Sequence, residues 1–230
     1  MNWMIHPNGF LNHTQAVAST ALIPDSLIFD MDGTLWDNVN TYALSWTRGM
    51  EKLGYNREVT REELMVLMGK EARVMLNTLV PEWSGKEQDR LFDAVIESYQ
   101  ELVPEMKPVI FDGVLEGLER LSGRYKLFLL SNCEEGGLVN FMKHTQTSHL
   151  IADYMEHGMN LMPKHENMKI MIHNNGLQRP VYIGDTDSDS KQSALAHVPF
   201  VFVTYGFGVT KDYVLKFDSF TELVNYYLNL

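Results

Sequence analysis

Ser26-Leu-Ile-Phe-Asp30-Met-Asp-Gly-Thr34 is a short apolar run that stops abruptly at two acids and a glycine. Runs of this kind, bounded by turn residues, fit the fully buried strands of a parallel sheet. The same texture returns further along, where Tyr125–Ser131, Val181–Asp185 and Pro199–Thr204 read as strands. Helical stretches separate or follow them: Leu115–Leu121, Glu166–Asn174, Ser190–His197 and Thr221–Leu228. Strands alternating with helices predict an α/β fold, a parallel sheet covered on both faces.

One block breaks the alternation. Residues 38–104 read as entirely helical, with Val39, Tyr42, Ala43, Trp46, Met50 and Leu53 on one face of the first helix. Thr60-Arg-Glu-Glu63 and Ser84-Gly-Lys-Glu87 are capping boxes that open further helices. The simplest organisation is an N-terminal extension over 1–25, an α/β core formed by 26–37 and 108–230, and an inserted helical unit over 38–107. The extension is irregular, and Trp3, Ile5 and Phe10 are its candidate docking residues.

Composition narrows the function classes. The 230 residues are 45% hydrophobic and 21% charged, which is ordinary for a globular chain. A formal net charge of −11 repels phosphate at long range, so neither nucleic acid nor an anionic membrane is an expected partner. One cysteine, Cys133, excludes an internal disulfide and a thiolate zinc cluster. The first Lys or Arg is Arg48, no secretory or transit signal is legible, and no apolar run approaches the roughly 20 residues of a membrane span. The expectation is a cytoplasmic protein, with a monomer as the default.

In open parallel sheets, ligands sit beyond the carboxyl ends of the strands. Those ends carry Asp30 and Asp32, then Ser131 and Asn132, then Asp185 with Asp187 and Asp189 behind it, while Lys164 stands just before the helix leading into the third. Acids converging from separate strands repel one another unless a cation intervenes. An all-oxygen donor set suggests Mg²⁺, which readily completes its octahedron with phosphate oxygens. Ser131 and Asn132 are suited to hydrogen-bond phosphate, and Lys164 to neutralise it. The set points to phosphoryl chemistry.

Asp30-Met-Asp-Gly-Thr34, Ser131-Asn132, Lys164 and Gly184-Asp-Thr-Asp-Ser-Asp189 resemble, in order, the four motifs of the haloacid dehalogenase-like superfamily. The helical insert is similar to the cap found in its phosphoglycolate phosphatase and β-phosphoglucomutase group. The resemblance implies a Rossmann-like core with a helical cap and an Mg²⁺-dependent phosphatase acting on a small phosphorylated metabolite, with phosphoglycolate or a sugar phosphate as the family-level expectation. It further implies Asp30 as the nucleophile that forms an aspartyl-phosphate and Asp32 as general acid and base. Asp30, Asp185 and the backbone carbonyl of Asp32 would hold the metal, with Asp189 in support. Ser131, Asn132 and Lys164 would bind the phosphoryl group, and Lys70, between two cap helices, would contact the organic part of the substrate, Arg73 being the alternative there.

Other readings compete at single positions. Asp185–Asp189 imitates the start of a calcium loop, but Ser190 stands at position 6 and Ala196 at position 12, where that loop needs Gly and Glu. Cys133 is read as a packed thiol, with Glu134 and Glu135 opposing a thiolate. Lys164 is preferred to Lys169 because it opens its helix. A dehalogenase would need neither Asp32 nor a metal, and a phosphonate-cleaving relative carries a small residue at that position. A phosphomutase uses the same four motifs and stays open as the alternative, and a non-catalytic binding module would have no need of both Asp30 and Asp32.

Overall fold

The computed structural model describes residues 23–230, so Trp3, Ile5 and Phe10 lie outside the described residues. Strand β1 (Ser26–Phe29) occupies the centre of a six-stranded parallel sheet. β4 (Lys126–Ser131) and β5 (Ile151–Glu156) lie on one side, and β6 (Pro180–Gly184), β7 (Phe200–Val203) and β8 (Leu215–Phe217) on the other. The sheet is Rossmann-like, and the chain reverses its direction of travel at β1. That reversal opens a crevice at the carboxyl end of β1.

The apolar strands bury both faces by simple alternation. Leu27, Phe29, Leu127, Leu129, Ile183 and Val201 face one core, closed by α5 (Val114–Ser122), α6 (Gly137–Thr145) and α9 (Phe220–Leu228). Ile28, Phe128, Leu130, Tyr182 and Phe200 face the other, closed by α7 (Lys164–Asn175) and α8 (Asp187–Leu195).

After β1 the chain passes through β2 (Trp36–Asp37) into four helices and returns through β3 (Val109–Ile110). β2 and β3 pair antiparallel, Trp36 opposite Ile110 and Asp37 opposite Val109. The helices are α1 (Val39–Lys52), α2 (Arg61–Met65), α3 (Ala72–Leu79) and α4 (Gly85–Leu102), and α1 packs along α4. Both capping boxes form, at Thr60 with Glu63 and at Ser84 with Glu87. Val39, Trp46, Met50, Leu64, Leu76 and Leu91 make a core of their own, separate from those on the sheet. No described helix is long and apolar enough to cross a membrane.

Besides the β2–β3 ribbon, β5, α6 and β8 go beyond the pattern read from sequence. β5 is an edge strand with Asp153 inside it and mostly half-buried positions, so it lacks a clean apolar run. α6 opens on Gly136-Gly137, which has no cap residue to announce it. β8 is three residues long. Helix α8 also starts at Asp187 and not at Ser190, because Thr186 and Asp189 cap each other reciprocally.

Candidate active site

Asp30 follows β1 directly, and its backbone N–H is still held by the Ile183 carbonyl at 2.8 Å, which fixes the residue to the sheet. Asp185 follows β6 and Ser131 ends β4, so three neighbouring strands bring their termini together. The carboxylates of Asp30, Asp185 and Asp189 offer oxygens within 4.8 Å of one another, and all three residues are buried.

Lys164 is buried among them. Its Nζ donates to Asp30 Oδ1 at 2.8 Å, Asp189 Oδ1 at 2.7 Å and the Tyr182 hydroxyl at 2.9 Å. Burial opposes its charge, but Asp189 and Asp30 outweigh that and hold the ammonium firmly protonated. Lys169 pairs instead with Glu166 on the surface. Each Asp189 oxygen already accepts two donors: Oδ1 takes Lys164 and Tyr182, while Oδ2 takes the Thr186 N–H and hydroxyl. Although burial acts against it, these donors keep Asp189 below the usual carboxylate range.

Asp185 is in the opposite condition. Its Oδ2 accepts the Phe207 N–H at 2.7 Å, but Oδ1 is buried without any partner. Burial, then Asp189 and Asp30, push its pKa well up. Burial likewise raises Asp30 to about 7, despite Lys164. Three buried acids share one lysine, and an orphaned carboxylate oxygen faces the deficit. Such a donor set fits a hard divalent cation.

Asp32 stands apart from this group. Trp36 Nε1 donates to its Oδ1 at 2.8 Å, and the Tyr42 hydroxyl reaches both oxygens at 3.1 and 3.2 Å. Burial and then the neighbouring Asp30 charge raise it to about 7, against those hydrogen bonds. A carboxyl poised there exchanges a proton near neutrality. Tyr42 itself is half-buried, and loss of hydration and then the facing Asp32 push its phenol well above the ordinary range, so it stays a donor.

Gly33 is required by two constraints. Its φ is +84°, and a Cβ there would lie 2.1 Å from Asp185 Oδ2. Gly33→Ala is therefore expected to destabilise by about 1–3 kcal/mol through backbone strain and to displace Asp185. Melting with and without Mg²⁺ measures both: Tm falls, and the rise given by the ion shrinks. An undiminished Mg²⁺ response would show that Asp185 does not depend on this glycine.

The remaining sequence-derived residues divide. The Ser131 hydroxyl accepts the Cys133 N–H at 3.3 Å and keeps its own hydrogen to donate. Asn132 gives its amide to the Gly69 carbonyl at 2.8 Å, crossing from β4 to the turn between α2 and α3. Lys70, beside that turn, is exposed and lines the cavity above Asp30, whereas Arg73 is drawn away to Gln88 and Asp89. The Cys133 thiol is pushed up by burial and then by Glu156, so the opposing acid is Glu156, not Glu134 or Glu135. Sequence reading missed Tyr42, Trp36, Tyr182 and Phe207. A phenol inside the otherwise apolar strand Val181-Tyr-Ile-Gly184 is the one signal that was available.

The haloacid dehalogenase-like hydrolase family model matches residues 27–203, from β1 through β7. The chain belongs to this family. Solved structures share the fold at low identity. A predicted phosphatase from Clostridium acetobutylicum superposes with TM-score 0.79 at 17% identity, covering 90% of this chain and 100% of that one. A predicted phosphoglycolate phosphatase from Haemophilus somnus gives 0.78 at 19% identity over 90% and 99%. A haloacid dehalogenase superfamily hydrolase from Geobacter sulfurreducens gives 0.68 at 20% identity over 91% and 99%. No curated protein matches the chain.

Proposed function

We propose that this hydrolase cleaves phosphate monoesters of small metabolites through a phosphorylated Asp30. The observation that carries the reading is the division of labour among the buried acids. Asp30, Asp185 and Asp189 gather around Lys164, while Asp32 is held separately by Trp36 and Tyr42. An Asp30 oxygen attacks phosphorus, the bond from phosphorus to the ester oxygen breaks, and Asp32 gives its proton to the departing alcohol. Asp32 then takes a proton from the water that attacks the aspartyl-phosphate, which returns Asp30 and releases phosphate. Lys164 orients Asp30 and neutralises the phosphoryl oxygens together with the Ser131 hydroxyl. Asn132, with its amide on Gly69, holds the α2–α3 turn over the site, and Lys70 stands at the cavity rim.

Asp30, Asp185 and the Asp32 carbonyl would hold Mg²⁺, with Asp189 fixing Lys164 beside them. The ion supplies Lewis-acid charge stabilisation that lets a carboxylate approach a phosphate dianion. Residues 38–107 act as a cap whose closure excludes bulk water from the acyl phosphate.

Phosphate release from a panel of esters, with Mg²⁺ and with EDTA, tests the chemistry. Release is expected to need the metal, and Mg²⁺ is expected to raise the Tm of the parent but not of Asp185→Asn. Release that survives EDTA, or an unchanged Tm response in the variant, would overturn the metal assignment.

A further inference from the structure

A cavity of about 440 Å³ lies between the carboxyl edge of the sheet and the helices of the insert. Its floor is polar, with Asp30, Asp32, Ser131 and Asn132. Its wall and roof are not: Trp46 of α1, Met68, Met75 of α3, and Phe92, Val95 and Ile96 of α4 line them. The phosphoryl group belongs to the floor, so the departing alcohol must lie against this apolar wall.

Charge argues in the same direction. Glu134 and Glu135 also line the cavity, and Lys70 is the one cation among the described residues that do so. Lys70 is exposed, so water screens it, and its pull on an anion is small. A carboxylate or second phosphate on the alcohol would lose hydration against Met, Phe and Ile side chains and meet two acids. A two-carbon acid such as glycolate would also leave most of the cavity to water. Side-chain amides from Gln100 and Asn140 and the Tyr99 hydroxyl add a few neutral polar contacts, the mixture expected of a site for an uncharged ring-sized body.

We infer that the substrate is the phosphate monoester of a neutral alcohol carrying a ring-sized, largely apolar body. This rests on the phosphatase reading above and narrows its substrate. Burying such a body is worth about tenfold to a hundredfold in affinity.

The purified 230-residue chain with Mg²⁺ is given benzyl phosphate and 2-phosphoglycolate, whose alcohols differ in shape and charge. Benzyl phosphate is expected to have the higher kcat/KM by about tenfold or more, mainly through a lower KM. Ile96→Lys and, independently, Met75→Lys place a cation on the wall and are expected to shift the ratio toward 2-phosphoglycolate, with folding checked by Tm. Equal or better use of 2-phosphoglycolate by the parent, or a ratio that neither folded variant moves, overturns the inference. If neither ester is hydrolysed, the phosphatase reading is decided by the wider ester panel, and calorimetry on Asp30→Asn with benzylphosphonate and phosphonoacetate decides the preference by itself. Tighter benzylphosphonate binding supports it, and equal or weaker binding overturns it.

Discussion

Asp30→Asn is expected to lose turnover on the order of 10⁴-fold or more while folding as well as its parent. The amide keeps the shape of the carboxylate and an oxygen for Lys164, now 2.8 Å from Asp30 Oδ1. It cannot act as the anionic nucleophile that forms an acyl phosphate. Because Asp30 is a buried acid already raised to about 7 by burial and by Asp189, its replacement relieves repulsion. The expected Tm is therefore equal or higher. Phosphate release and melting are measured on the same preparation, and intact-protein mass after rapid acid quench is expected to show a phosphoryl adduct in the parent only. A variant that retains more than a small residue of activity would place the nucleophile elsewhere.

Lys164→Met has the opposite signature. The side chain is of similar length, but the substitution removes the buried cation shared by Asp30 and Asp189. Removing one partner of a buried pair costs roughly 3–5 kcal/mol, and each kcal/mol is about 2–4 °C of Tm at this chain length. A large fall in Tm without metal is expected, with part of it recovered by Mg²⁺, since a divalent ion neutralises the same acids. Lys169→Met, which breaks only a surface contact with Glu166, serves as the control and should melt like the parent. A Lys164 variant that melts like this control would mean that the acids are protonated together and need no lysine. Activity should fall in Lys164→Met even where Mg²⁺ restores stability, because Asp30 loses the donor that aims it.

The strand ends were legible because an apolar run that stops at Asp or Ser is a local signal. Ser26–Asp30, Tyr125–Ser131 and Val181–Asp185 each carry it within a few residues. The first insert helix was legible because Val39 to Leu53 repeats over four turns. What stayed hidden are contacts that only the tertiary structure creates. Tyr42 reads as one more apolar position on a helix face, yet its hydroxyl meets Asp32. Phe207 follows β7 in a Gly-Phe-Gly loop, and nothing local says that its N–H holds Asp185 while its ring packs on the core of the insert. Glu156 ends an edge strand without apolar periodicity, yet it caps the Gly136–Leu138 turn through two N–H groups. Asn132 follows Ser131 at a strand end, and sequence order holds no sign of the Gly69 carbonyl 63 residues earlier that takes its amide.

The two-residue ribbon of β2 and β3 has a consequence for how the chain is divided. It brings the departure and return of the helical insert side by side, Asp37 opposite Val109, so whatever is threaded between them leaves the sheet with the same two ends in the same place. A segment attached in this way is free to lengthen, shorten or be replaced without disturbing the strand order that assembles Asp30, Asp185 and Lys164. The ribbon thus keeps the part of the chain that assembles the buried acids separate from the part that lines the cavity above them.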